Sequence, residues 1–239
     1  MERLQKVIAL SGYCSRRKAE ELIVQGKVMV DGKVVTELGT KVDGNNQVTV
    51  EGKTLSRETK EYILLYKPRG VVTTTSDEKN RKTVLDLIET DKRLYPIGRL
   101  DYDTTGILLL TNDGDLTNLL IHPKNEIDKV YIVKIEGILT GAEINNLERG
   151  VLIDGYKTSK SKVKVKKIDK KNNTSLIQIT IHEGKNHQVK KMFQAIGYDV
   201  LKLKREKIAF LDVKGLKSGE YRFLSVKEVK KLYGENSNQ

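Results

Sequence analysis

The stretch GRLDYDTTGILLLTNDG, residues 98–114, sets an Arg-Leu-Asp and a polar turn against the apolar run Ile107–Leu110, then closes on a second acidic turn. Bounded by turn residues on both sides, the apolar run is a strand-sized piece, and it predicts a buried strand over 106–112. Asp101 and Asp103 then precede the strand, and Asp113 and Asp115 follow it. A strand of that length spans roughly 20 Å at about 3.3 Å per residue, so the two acidic pairs cannot share a metal ion. Three readings of the first pair stay open: a two-aspartate metal site, turn caps with Asp101 paired to Arg99, or a catalytic carboxylate.

Around this stretch the chain reads as strands with interspersed helices. Strands are expected at 61–66, 71–74, 96–101, 106–112, 127–137, 158–168, 174–182 and 199–210. Helices are expected at 83–89, 114–121, 141–149, 187–196 and 226–233, two of them carrying capping boxes, Thr140 with Glu143 and Ser225 with Glu228. Strands and helices mixed without regular βαβ alternation favour an α+β fold with a mixed, mostly antiparallel sheet flanked by helices. His122 is expected to help end one helix and His187 to begin another, and the tail GENSNQ is expected to fray.

The amino-terminal part has its own logic. Leu4, Val7 and Ile8 share a helical face that Gly12 stops, and Ser15 is placed to cap a second helix that ends at Gly26. Asp31-Gly32 joins two short β-rich runs as a hairpin, another strand lies near 47–50, and the polar stretch 52–61 follows as a linker. Arg16, Arg17 and Lys18 open the second helix, where fixed positive charge opposes the helix dipole. A solvated surface and phosphate contacts are both readings of that cluster.

Composition bounds the class. With 239 residues the chain is long enough for two domains, and it carries 44 basic against 32 acidic residues, a net charge of +12. That excess suits a polyanionic partner, because each phosphate neutralised by Lys or Arg releases a counterion. No apolar run approaches the length of a membrane span, and the first residues lack a secretory pattern. The single cysteine, Cys14, fits a reducing cytoplasm.

Two resemblances sharpen this. GYCSRRKAEELIVQGKVMVDGKVV, within about residues 2–48, resembles the small RNA-binding domain named after ribosomal protein S four. GRLDYDTTGILLLTNDG, with YPIGRLD leading in and DLTNLLIHP following, resembles the signature of ribosomal RNA pseudouridine synthases of the RsuA/RluB type. EIDKVYIVKIEG (126–137), EGKNHQVKKMFQAIGY (183–198) and YKPRGVVTT (66–74) are similar to further motifs of that family. The resemblance implies a pseudouridine synthase fold and an order of modules: RNA-binding domain at 1–55, linker at 56–60, catalytic domain at 61–239.

By the same resemblance Asp101 is the catalytic aspartate, Tyr131 the active-site tyrosine and Lys190 the basic partner of the aspartate. Many relatives carry arginine around 190 and 191, where this chain has Lys-Lys; the charge is kept and bidentate geometry is not. Arg99 is expected to fill the space of an extruded nucleotide or hold a phosphate. Arg3, Arg16, Arg17, Lys18, Lys204 and Arg205 are the further RNA-binding candidates, the last two from the cluster Lys202, Lys204, Arg205 and Lys207. Lys160, Lys162, Lys164 and Lys166 alternate along one strand face, either protecting an edge or touching RNA.

The reaction so implied breaks a glycosidic bond, turns the uracil and rejoins it through carbon. It has no redox change and transfers no external group, so no cofactor and no metal are expected. The expected partner is ribosomal RNA or a ribosome assembly intermediate, with no membrane, and a cytoplasmic monomer as the working form. The finer resemblance favours large-subunit over small-subunit RNA. A non-catalytic RNA-binding assembly factor is the reading from another class, and nucleobase deamination lacks its His/Cys zinc signature.

Overall fold

The Ser15 hydroxyl accepts a hydrogen bond from the Lys18 amide at 3.1 Å. It thereby caps α2 (Arg16–Val24), which follows α1 (Leu4–Leu10). These helices belong to a computed structural model that describes residues 1–234; beyond Gly234 the expected frayed tail lies outside the described residues. The chain divides into two compact units.

The first unit comprises Met1–Glu61 with Glu89–Leu94 and Asn112–Gly114. Its sheet runs in the order β2-β1-β3-β4, with β1 at Val28–Val30, β2 at Lys33–Val34, β3 at Val48–Val50 and β4 at Lys53–Thr54. Asp31 and Gly32 both adopt positive φ, 49° and 77°, the pair of values a tight two-residue hairpin needs. Leu4, Ile8, Leu22 and Ile23 from the helices meet Val28, Val48 and Val50 from the sheet in one core. The stretch after β4 is bonded rather than loose. Asn112 donates to Glu58 and Thr59 and accepts from the Glu61 amide, and Lys60 pairs with the buried Asp113 at 2.9 Å.

The second unit is built on one sheet of nine strands among the described residues. Its strands are β5 (Tyr62–Lys67), β6 (Tyr95–Ile97), β7 (Thr105–Thr111), β8 (Lys129–Glu136), β9 (Lys162–Asp169), β10 (Thr174–Ile181), β11 (Val200–Ile208), β12 (Leu211–Asp212) and β13 (Tyr221–Phe223). They run in the order β9-β10-β8-β11-β7-β5-β13, with β12 on β11 and β6 on β7. Every pairing is antiparallel except one, the short parallel contact of β7 with β11 through Thr105–Lys204 and Gly106–Arg205. This seam joins two antiparallel halves.

Helices α3 (Gly114–Ile121) and α6 (Val226–Gly234) cover one face of the β5–β7 half. There Leu116, Leu120 and Leu232 pack on Leu64, Ile107 and Leu109. Helix α4 (Gly141–Arg149) carries the expected capping box, and α5 (Gln188–Ala195) begins after His187.

Three expected elements differ. Residues 71–74 form no strand, only a bridge between Val72 and Thr83. The helix expected at 83–89 is a single turn of 3-10 helix, Leu85–Leu87, which the Asp86 carboxylate tethers to the Thr83 amide and hydroxyl and which ends where Ile88 turns extended. The strand expected at 96–101 ends at Ile97, where Gly98 turns the chain with φ of 71°.

Candidate active site

The turn that carries Asp101 is held from below by the segment YKPRGVVTT. At the end of β5, the Lys67 side chain is fully buried, and its ammonium group donates to the carbonyls of Pro68, Asp101 and Thr104 at 3.0–3.1 Å. The Gly70 amide donates to the Tyr102 carbonyl at 2.8 Å, and the Thr73 hydroxyl donates to the Leu100 carbonyl at 2.7 Å. The Thr104 amide closes the turn on the Asp101 carbonyl at 3.0 Å. Four bonds from one short segment thus fix the backbone on either side of Asp101 without using its carboxylate.

That carboxylate faces Lys190 of α5 and His187, the residue just before the helix. The Lys190 ammonium lies 3.1 Å from one Asp101 oxygen and 2.6 Å from Asp103, and His187 Nε2 lies 3.4 Å from the other Asp101 oxygen. Burial works against the charge on Lys190, but the two carboxylates prevail and raise its pKa. The same ion pair holds the Asp103 carboxyl below the usual carboxylate range. Asp101 therefore pairs with Lys190 and His187 rather than with Arg99, and Asp103 does more than serve its turn. The ammonium group occupies the position between Asp101 and Asp103 that a bound cation would take.

Asp101 opens into a narrow cleft of about 50 Å³ that it shares with Arg99, Thr104, Tyr131, His187 and Leu203. Tyr131 reaches it from β8, 8% exposed, on the same sheet face as Val133 and Ile135. Val130 and Ile132 point to the other face, as period-two alternation requires. The exposed Arg99 stands at the cleft wall. Glu183 and Gln188 stiffen the loop before α5: Gln188 donates to Glu183, which also accepts the Ser159 amide at 2.8 Å.

The remaining candidates divide. Arg3, Arg16, Arg17 and Lys18 are exposed on the first unit, where Lys18 pairs with Glu21 at 2.8 Å. Lys204 lies on the sheet face away from the cleft, its ammonium 4.9 Å from the centre of the Tyr66 ring. Arg205 is not an RNA ligand. It is only 3% exposed, and its Nε donates to the Ile107 carbonyl at 2.9 Å across the parallel seam. Alternation along β11 turns Arg205 inward, away from Lys202 and Lys204, and a register shift at Glu206 returns Lys207 to the lysines' face.

Lys67 and His187 are the site residues that sequence reasoning missed. Lys67 had a signal, a lysine closing an apolar strand directly before Pro68, where a charged group must find acceptors. His187 had none: its approach to Asp101 depends on its left-handed backbone, φ 54°, at the start of α5.

Comparison with known proteins agrees with this architecture. Residues 61–195 match the RNA pseudouridylate synthase family and residues 2–48 match the S4 domain. The chain is 57% identical to ribosomal large subunit pseudouridine synthase B of Bacillus subtilis, over 97% of this chain and 96% of that protein. It is 37% identical to an uncharacterized RNA pseudouridine synthase of Aquifex aeolicus, over 97% and 93% of the two chains. The fold superimposes on a crystal structure of a pseudouridylate synthase with a TM-score of 0.68 and 30% identity, over 97% of this chain and all of that one. By these matches over nearly its whole length, this chain is a member of the RNA pseudouridylate synthase family with an S4 domain at its amino-terminal end.

Proposed function

We propose that this enzyme converts a specific uridine of large-subunit ribosomal RNA to pseudouridine, with Asp101 as its nucleophile. The carrying observation is that Asp101 and Tyr131, from separate parts of the sequence, line one cleft, while Lys190 from a third part pairs with Asp101 at 3.1 Å. Lys190 places a positive charge 3.1 Å from the Asp101 carboxylate, where charge changes as it attacks. Tyr131 offers a ring for the uracil to stack on and a hydroxyl for proton transfer. Arg99, at the exposed wall, takes the space or the phosphate of the nucleotide that leaves the stack.

The large-subunit target is supported by the 57% identity to the Bacillus subtilis protein named for that subunit. In this reading residues 1–55 are the RNA-docking module, 56–60 the connection and 61–239 the catalytic domain. Arg3, Arg16, Arg17 and Lys18 contact phosphates, and the protein works as a cytoplasmic monomer on ribosomal RNA or an assembling particle.

The test is incubation of the purified enzyme with unmodified large- and small-subunit ribosomal RNA, followed by chemical mapping of pseudouridine. One new pseudouridine in the large-subunit RNA is expected. Modification of small-subunit RNA alone overturns the target, and none in either RNA overturns the activity.

A further inference from the structure

The two lysine-rich stretches, far apart in sequence, meet on the sheet face that looks away from the cleft. Three cross-strand rows carry them: Lys162–Thr180–Val130–Lys207, Lys164–Gln178–Ile132–Lys204 and Lys167–Leu176–Lys134–Lys202. Each row begins and ends in lysine. The face therefore bears two lysine rails, one on β9 and one on β11, with β10 and β8 as a mostly neutral strip between them. Three strand spacings put the rails about 14 Å apart, and lysines two residues apart along a rail are about 6.6 Å apart.

This pattern is not edge protection. Strand β9 lies at the sheet edge, where lysine blocks further pairing, but β8 and β11 are interior. Lys134 and Lys202 stand directly opposite each other across the β8–β11 pairing, and like charges so placed destabilise a sheet. Nor is the repulsion relieved internally. Lys6, Lys27, Lys92 and Lys191 elsewhere in the chain hold carboxylates, whereas among the described residues Lys134, Lys162, Lys164, Lys202 and Lys207 have none. A depression of about 650 Å³ opens beside the β11 rail, bordered by Lys166, Lys204, Lys207 and Lys214, with Glu206 and Asp212 as its acids.

We propose that this lysine-railed face is a second RNA-binding surface, separate from the cleft, that takes the phosphate backbones of a double-helical RNA segment. A-form RNA offers a wide, shallow groove bordered by two phosphate strands, the shape that two parallel cationic rails on an open sheet can follow. Phosphate contact also neutralises the opposed Lys134–Lys202 pair and releases counterions. A membrane surface is disfavoured because the strip between the rails offers only part-buried Val130, Ile132 and Leu176 and no aromatic side chain to insert.

The test uses the full-length chain and a labelled RNA duplex of roughly 20 base pairs and arbitrary sequence, with affinity measured from about 50 to 200 mM salt. The K162Q/K164Q/K202Q/K207Q variant should bind at least about tenfold more weakly at the middle of that range, with a log–log salt slope shallower by about 3. The matching Lys-to-Arg variant should keep the wild-type slope, and thermal melting should show both variants folded. An unchanged slope in the Gln variant overturns the proposal. So does displacement of the duplex by polyglutamate at equal charge, which would make an acidic protein the partner. The proposal shares with the reading above only the assumption that RNA is the polyanion. Because binding is read without turnover, its failure leaves the isomerase activity standing, and an inactive enzyme would still pass.

Discussion

The Lys190 ammonium group stands 3.1 Å from the Asp101 carboxylate and spans from it to Asp103. Asp101 comes from a turn ahead of β7 and Lys190 from α5, so the contact exists only when both halves of the sheet are in place. The pair is about a quarter exposed, open enough to meet substrate and close enough for a direct ion pair.

Replacing Asp101 by Asn removes the proposed nucleophile with little change in volume. Pseudouridine formation should fall by at least about a thousandfold, roughly 4 kcal/mol of barrier. RNA affinity should stay near wild type, because the backbone bonds that fix the turn do not use the carboxylate. Single-turnover kinetics beside a filter-binding assay separates the two effects.

Lys190→Ala should lower kcat by about a hundredfold by removing the cation that faces Asp101. Lys190→Arg keeps the charge and should retain activity within about tenfold, since a guanidinium can reach both carboxylates. Equal losses in the two variants would assign Lys190 a purely structural role.

Lys67→Met is expected to be costly although Lys67 never meets substrate. It leaves the carbonyls of Pro68, Asp101 and Thr104 without their buried donor, which costs about 2–4 kcal/mol. Denaturant unfolding should read this as a lower midpoint with an unchanged slope, and residual activity in the folded fraction should drop with the loosened turn.

Stability should depend on pH in two windows. Burial pushes the Lys67 amine down to about 8, and burial with the neighbouring Arg205 charge does the same to Lys129. Between about 8 and the ordinary lysine value near 10.5 the unfolded chain holds more protons than the folded one, so stability from these two groups rises with pH. Asp103 has the opposite placement. Its contribution is complete above the ordinary aspartate value and is lost as pH falls through its depressed one. Chemical unfolding from pH 7 to 10 tests the first window, and side-chain lysine NMR should find two amines titrating well below the rest.

Gly106→Ala should destabilise the fold by about 3 kcal/mol or more, measurable as a large fall in Tm. A Cβ there would lie 2.1 Å from the Arg205 carbonyl oxygen, and the backbone holds φ of 117°, which a side chain disfavours.

Local chemistry made much of this architecture legible in the sequence. Ser15, Asp31-Gly32 and the Thr140–Glu143 box act through neighbours within a few residues, and each does in the structure what its spacing requires. The apolar run Ile107–Leu110 likewise announces a buried strand. What stayed hidden depends on which strands become neighbours. Period two places Lys162 and Lys164 on one face, yet only the order β9-β10-β8-β11, with the register shifts that bring in Lys167 and Lys207, reveals the two rails. His187 was hidden for a similar reason, because a contact made by one left-handed residue leaves no periodic trace.

The seam at Gly106 has a bearing on how the enzyme comes into being. Asp101 precedes β7, while Tyr131 and Lys190 belong to the half completed by β11, and β7 and β11 meet in the sheet's single parallel contact. Such distant contacts form late, after the local hairpins on either side. A chain still emerging from the ribosome has no assembled site until Val200–Ile208 has been synthesised and has closed against Gly106. The half-made protein is thus without its site, which comes together only when synthesis is nearly done.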